Sequence, residues 1–225
     1  MPRLSRIHLP MLRPEDVIPH LGKGELHWRD GYSAKAVCES WFNANDIPSS
    51  VRRVLEGADQ YKGAQLVDAW LERCTHLPWG RGNPTQTDLL AVLAIGDELA
   101  LLAIEAKVRE SFGPYVRDWL AEGGDNRVER LRGLCDFLNL STESASALRY
   151  QLLHRTAAAV LEAKRYRARH AAMVVQSSCP DNTGLSDFQS FAQAMGYGHF
   201  DLDSISSPKT LGSVNLRIGW SADRI

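Results

Sequence analysis

The sequence has few cysteines, and none of them has the spacing by which cysteines bind zinc or form a disulfide framework. Cys38, Cys74, Cys135 and Cys179 are far apart and never approach a C-x-x-C spacing. A structural zinc site and a fold held by disulfides are therefore not indicated. The expected compartment is the reducing cytoplasm.

Long apolar runs are also missing. The longest fall well short of the ~20 residues that a membrane-spanning helix needs. The N-terminal stretch MPRLSRIHLPMLRPED has no uninterrupted apolar segment of the kind found in signal peptides. We therefore expect neither membrane insertion nor secretion, and no membrane partner.

The chain lacks an excess of charge of either sign. It has 26 basic and 27 acidic residues and a formal net charge of −1. Proteins that bind long tracts of nucleic-acid phosphates are usually strongly cationic, so any nucleic-acid contact here has to be local. Residues 164–170 (KRYRARH) are one local candidate, although basic residues at the end of a helix also complement the helix dipole.

The residues that are present suffice for one hydrophobic core. With 44% hydrophobic residues in 225, we expect a single domain over residues 1–225. Residues 1–76 are predicted to form an irregular N-terminus and a helical region, in which residues 64–74 continue with helical patterning. Residues 77–225 are predicted to form an αβα core, with one long helix over residues 143–167 that Ser141 caps.

Two apolar runs of strand length, residues 89–95 and 99–104, flank the dipeptide Gly96-Asp97. This arrangement predicts a β-hairpin with a two-residue turn. Strands that are apolar on both faces are typical of a sheet covered on both sides. Together with helices interleaved among further strands, the pattern predicts an α/β fold, namely a three-layer αβα sandwich around a mixed sheet.

The hairpin has acidic and basic residues at one end. If Ile95 pairs with Glu98, then Asp88 faces Glu105 across the strands, and Lys107 lies on the same side because strand side chains alternate. Two bare carboxylates ~5 Å apart would repel each other by roughly 3 kcal/mol. We therefore expect Lys107 and a divalent cation such as Mg²⁺ to balance the charge. A register slip of one residue would instead separate the two acids.

An acid on one strand, followed by an acid-x-lysine sequence on its hairpin partner, resembles the PD-(D/E)xK nuclease superfamily. Glu105-Ala106-Lys107 matches that motif in full, whereas Thr87 stands where a proline often precedes the first acid. The segments LPWGRGNPTQTDLLAVLA, LLAIEAKVRESFGP, LRYQLLHRTAAAVLEAKRY and AAMVVQSS also resemble a family of bacterial proteins of unknown function with a restriction-endonuclease-like fold. The resemblance covers roughly residues 72–220.

The resemblance implies a DNA-cutting enzyme in which Asp88 and Glu105 bind Mg²⁺, with Mn²⁺ as an alternative ion, and Lys107 orients or activates a water molecule. A further glutamate often precedes the hairpin in such proteins, and Glu72 is the best match for this third ligand; Glu39 is a weaker candidate. The predicted substrate-binding residues are Gln86, Gln151 and Arg155, of which Arg155 would bind a phosphate through its planar guanidinium group.

Two further expectations follow from the resemblance. Many restriction-type enzymes act as dimers, so a homodimer is expected. Some members of the superfamily have lost cleavage and kept binding, so the alternative function is a catalytically inactive module that binds nucleic acid or protein. The balanced charge and the missing proline-aspartate pair favour this alternative.

Overall fold

The sheet is built around the predicted hairpin. In the computed structural model, which describes residues 11–223, β2 (Thr85–Ile95) and β3 (Glu98–Lys107) are antiparallel. Ile95 pairs with Glu98 and Leu89 with Ile104, which is the register that a two-residue turn requires. Gly96 has a φ of +58°, a conformation that glycine adopts easily and that tight hairpin turns use.

The other strands extend this hairpin into a seven-stranded mixed sheet of order β1-β2-β3-β4-β7-β5, with β6 also paired to β7. The pairs β3–β4 and β4–β7 are parallel, and the remaining pairs are antiparallel. The additional strands are β1 (Gln65–Thr75), β4 (His170–Ser177), β5 (Ser204–Ile205), β6 (Lys209–Leu211) and β7 (Val214–Ala222).

β1 corrects the sequence prediction, because residues 64–74 form an edge strand and not a helix. A β-bulge lies between Leu66 and Asp68, and Glu72 has a φ of +53°. Both irregularities disturb the alternation of side chains that normally identifies a strand. The first 76 residues therefore contribute a strand to the sheet as well as helices.

Helices cover both faces of the sheet, as the predicted α/β sandwich requires. α1 (Ser33–Ala44) and α2 (Ser49–Glu56) pack on one face, here called the α1 face, around residues such as Leu102 and Ile104. The opposite face, here called the α6 face, is covered by the C-terminal helices. These are α3 (Val116–Ala121), α4 (Asp125–Leu138), α5 (Thr142–Ala145), α6 (Tyr150–Tyr166) and α7 (Leu185–Ala194).

The predicted long helix over residues 143–167 is wrong in one respect, since it is interrupted. The Ser141 hydroxyl accepts a hydrogen bond from the Ser144 amide and caps the short α5, as an N-cap serine does. The chain then leaves the helix, the Val116 amide donates to the Leu148 carbonyl, and α6 begins at Tyr150. The break places the first turn of α6 beside the carboxyl end of β3.

The two ends of the sheet carry different groups. Lys107 pairs with Ser177 at the carboxyl ends of β3 and β4, whereas His170 pairs with Ala100 at their amino ends. Ala100 and Lys107 are seven residues apart, or roughly 23 Å of extended strand. The basic segment 164–170 therefore lies at the end opposite Lys107. Within residues 11–223, no helix is both long and apolar enough to cross a bilayer.

Candidate functional site

Alternation along β3 directs two charged side chains into the α6 face. Leu101 and Ala103 belong to the hydrophobic core of that face, so Glu105 and Lys107 follow them on the same side. The Glu105 side chain is 1% exposed and the Lys107 side chain 5%. Burial of charge at this level requires a partner for each group, and Lys107 Nζ donates a hydrogen bond to Glu105 Oε1 at 2.7 Å.

Asp88 joins this pair at the point where the hairpin ladder ends. The last β2–β3 pair is Leu89 with Ile104, one residue short of the predicted pairing of Asp88 with Glu105. In place of a further ladder bond, the Ala106 amide donates to Asp88 Oδ2 at 2.8 Å. The predicted convergence of the two acids is nevertheless present, because both line one cleft.

Gln151, in the first turn of α6, holds the buried pair from the other side. Its Nε2 donates to Glu105 Oε1 at 2.6 Å, and its Oε1 accepts from Lys107 Nζ at 3.3 Å. The same Oε1 accepts from the Gly113 amide at 3.1 Å. Gln151 therefore contacts the acid, the lysine and the loop after β3, as expected for a residue beside the site.

Arg155, one turn further along α6, binds both acids. Its Nε donates to Glu105 Oε2 at 2.5 Å, and its Nη2 lies 3.7 Å from Asp88 Oδ1. Its Nη1 donates to Thr85 Oγ1 at 2.7 Å. The sequence suggested a phosphate as the partner of this guanidinium group, but in the structure the group is directed at the protein's own carboxylates.

These contacts affect the two acids differently. Burial, followed by repulsion from Glu105, raises the pKa of Asp88 to about 8, although Arg155 and Lys107 oppose the change. Burial also acts to raise the pKa of Glu105, but attraction to Arg155 and Lys107 together with their hydrogen bonds outweighs it, and the pKa is lowered. At neutral pH Glu105 is therefore the ionised acid, and Asp88 retains a proton unless a further cation is present.

His154, also on α6, contacts Thr85 at the edge of the site. Thr85 Oγ1, which accepts from Arg155, also lies at hydrogen-bond distance from His154 Nδ1, 2.7 Å away. Burial, followed by the charge of Arg155, lowers the pKa of His154 well below its usual value. The imidazole is therefore neutral and able to accept this hydrogen bond.

The other predicted residues do not line the cleft. Glu72, on β1, does not line the cleft, but its charge interacts with Arg155 and Glu105, and burial raises its pKa to about 7. Gln86 lies opposite Cys74 on the β1–β2 ladder and is also absent from the cleft lining. Glu39, the weaker candidate, forms an ion pair with Lys35 on α1 at 3.6 Å.

The cleft has a volume of about 750 Å³ and opens to solvent between three parts of the chain. Its floor carries Asp88, Glu105 and Lys107, and α6 supplies Tyr150, Gln151 and Arg155. Loop 109–114 and part of the N-terminal segment 27–34 form the remaining walls. Glu105 is thus deeply buried and Asp88 half-buried, and both are reachable from this cleft.

Two contacting residues were not found from the sequence. Thr85 links Arg155 to His154, and the ring centre of Phe112 lies 5.0 Å from Lys107 Nζ, a cation–π distance. Phe112 follows Lys107 after a loop, and nothing in its local sequence indicates this packing. For Thr85, the only indication in the sequence was its position at the start of β2.

Within the described part of the chain, no three histidine, cysteine, aspartate or glutamate side chains form a group that could hold a metal ion. Glu72 therefore does not complete a three-carboxylate cage with Asp88 and Glu105 in this arrangement. The donors that share the cleft are the oxygens of two carboxylates. Two carboxylates with room for water are a donor set that Mg²⁺ accepts.

One family model matches the chain. It is described as a domain of unknown function (DUF6946), and the match covers residues 10–225. The chain belongs to this family. No curated protein and no solved structure matches the sequence. The chemistry of this DUF6946 member therefore has to be inferred from its own side chains.

Proposed function

We propose that the protein is a metal-dependent phosphodiesterase that cuts DNA at the site formed by Asp88, Glu105 and Lys107. The observation that supports this proposal most is that the acid-x-lysine pair of β3 and the acid of β2 line the same solvent-accessible cleft. Their arrangement is similar to the PD-(D/E)xK constellation that the sequence resembles. Gln151, in the first turn of α6, contacts both Glu105 and Lys107.

The acid pair suits a divalent cation. Asp88 and Glu105 offer hard oxygen donors. Burial, followed by repulsion from Glu105, raises the pKa of Asp88 despite the opposing charges of Arg155 and Lys107, and a divalent cation would favour its ionised form. When bound there, Mg²⁺ or Mn²⁺ would polarise a phosphoryl oxygen and lower the pKa of a water molecule. Glu72, on the neighbouring strand, stays a predicted third ligand that this arrangement does not bring to the pair.

Lys107 is the residue that we expect to act on the reacting groups. An ammonium group has three N–H donors, and the bonds to Glu105 and Gln151 use two of them. The third N–H is left to orient an attacking water molecule or to stabilise charge on a phosphate oxygen. Gln151 and Phe112 fix the position of the ammonium group, and Glu105 balances its charge.

A second candidate function is a catalytically inactive module with the same fold, which binds nucleic acid or protein. The contact of Arg155 with both carboxylates favours it, because the acids then already have a buried counter-ion. In that case the network would serve the structure of the protein alone. The predicted homodimer and the predicted cytoplasmic location remain predictions from the sequence.

Incubation of the protein with supercoiled and linear DNA in Mg²⁺ or Mn²⁺ tests the proposal. Lys107→Ala should slow cleavage by a factor of about 10²–10⁴, the usual effect of removing a group that assists proton transfer. Lys62→Ala is the matched control, since the Lys62 side chain is 65% exposed and pairs with Asp59 on the surface. Undiminished cleavage by the Lys107 variant would exclude the proposed mechanism. DNA binding without cleavage in either metal would favour the inactive module.

A further inference from the structure

Arg155 occupies the space that a cation shared by the two acids would need. Its guanidinium group donates to Glu105 Oε2 at 2.5 Å and lies 3.7 Å from Asp88 Oδ1. Asp88 Oδ2 is engaged by the Ala106 amide, and Glu105 Oε1 by Lys107 and Gln151. Among the described residues, the two carboxylate oxygens that accept no other hydrogen bond are therefore the two that Arg155 contacts.

Arg155 also has partners other than the two acids. Nη1 donates to Thr85 Oγ1 at 2.7 Å, a neutral acceptor on the first residue of β2. Glu72 lies close enough for its charge to interact with that of Arg155. Thr85 and Glu72 are thus two groups, apart from Asp88 and Glu105, with which the guanidinium group interacts.

We propose that Arg155 is an internal counter-cation that holds Asp88 and Glu105 together when no metal is bound and must withdraw from them when a divalent cation binds. Arg155 is then a positioning residue that lowers the metal affinity of the site. This inference rests on the proposed function, because it requires that the acid pair binds a divalent cation. It predicts opposite effects of one substitution on stability and on metal binding.

Arg155→Met tests the inference, because methionine keeps much of the side-chain length and removes the charge. We expect the metal-free melting temperature to fall by several degrees, since a buried acid loses its partner. We expect the dissociation constant for Mn²⁺, measured by isothermal titration calorimetry, to decrease by about tenfold or more because the competitor is gone. Arg155→Lys keeps a positive charge and should bind Mn²⁺ much as the wild type does.

Arg149→Met is the matched control. Arg149 precedes the same helix and forms an ion pair with Asp187 at 2.8 Å, with side-chain exposure of 18% and 17% for the two residues. It contacts neither acid of the site. The control should lower stability without tightening Mn²⁺ binding.

A measurement on the wild-type protein is independent of whether the variants fold. In nuclear magnetic resonance spectra, the Arg155 Nε–H should shift and exchange faster with solvent when Mg²⁺ is added, because its bond to Glu105 breaks. An unchanged Nε–H at saturating Mg²⁺ would overturn the inference.

The outcomes separate this inference from the proposed function. If the wild type binds Mn²⁺ and Arg155→Met binds it equally or more weakly, Arg155 has only a structural role and the inference alone fails. If neither protein binds Mn²⁺, the metal site and the inference fail together. Tighter binding by Arg155→Met, with a lower metal-free melting temperature, supports both.

Discussion

The two faces of β3 bury very different side chains. On the α1 face Leu102 and Ile104 are fully buried among apolar residues of α1 and α2. On the α6 face the same strand buries Glu105 and Lys107, which require Arg155 and Gln151 to balance and satisfy them. Packing alone can be achieved with apolar residues, as the α1 face shows. The charges on the α6 face are therefore the groups on which the proposed function depends.

Removing the central acid should have the largest effect on stability. Glu105→Leu leaves Lys107 and Arg155 buried without their main partner, and we expect a loss of about 3–5 kcal/mol in the free energy of unfolding. Urea denaturation measures this loss. The combined variant Glu105→Leu, Lys107→Met, Arg155→Met should regain most of it, because an apolar α6 face then resembles the α1 face. A combined variant as unstable as Glu105→Leu would show that the charges are needed for folding.

A cavity on the α1 face should lower the free energy of unfolding somewhat less than the loss of Glu105 does, and it should leave the site intact. Leu102→Ala removes a fully buried side chain, and we expect a loss of about 3 kcal/mol in urea denaturation. The control is Leu99→Ala, because Leu99 on the same strand is 40% exposed and should lose under about 1 kcal/mol. Mn²⁺ affinity should not change in Leu102→Ala. A change would mean that the two faces are not independent.

The pH dependence of stability should reveal the proton on Asp88. Its pKa is raised from 3.8 to about 8 in the folded protein, so between these pH values the folded state holds a proton that the unfolded state has lost. Stability of the metal-free protein should therefore fall as pH rises through this range. Glu72 acts in the same direction.

Asp88→Asn checks that assignment, because asparagine does not ionise. Unfolding midpoints at pH 5 and pH 8 should differ less in this variant than in the wild type. Equal differences in both proteins would show that Asp88 is not the group responsible.

The smallest expected effect concerns the cap of the short helix α5. Ser141→Ala removes the hydroxyl that caps α5 and should cost about 1 kcal/mol in thermal or chemical unfolding. Ser141→Asn, which can still cap a helix, is the control and should retain most of the stability. A loss much larger than this in Ser141→Ala would mean that the short helix is needed to dock α6.

The hairpin was predictable because its information is local. A two-residue turn at Gly96-Asp97 sets the whole β2–β3 register, and the register brings Asp88 toward Glu105 and Lys107. β1 was not predictable in the same way. The apolar residues of β1 have spacings of three and four in the sequence, which are typical of a helix. The bulge after Leu66 and the positive φ of Glu72 allow a strand to hold residues with this spacing.

The partner of Arg155 could not be derived from the sequence. Arg155 is 50 residues from Glu105 along the chain, and their contact depends on where α6 begins and how it docks on the sheet. The break before Tyr150 that decides this position contains no glycine or proline to signal it. Gln151 was identified as a candidate through resemblance, but its bonds to Lys107 and Gly113 required coordinates.

The hydrogen bond from the Ala106 amide to Asp88 makes one backbone proton a reporter of the carboxyl group. The strength of this bond changes when the Asp88 carboxyl group gains or loses its proton or binds an ion. The chemical shift of the Ala106 amide proton changes with it. A spectroscopist could therefore follow occupancy of the cleft at Ala106 without substrate, turnover or any chemical label.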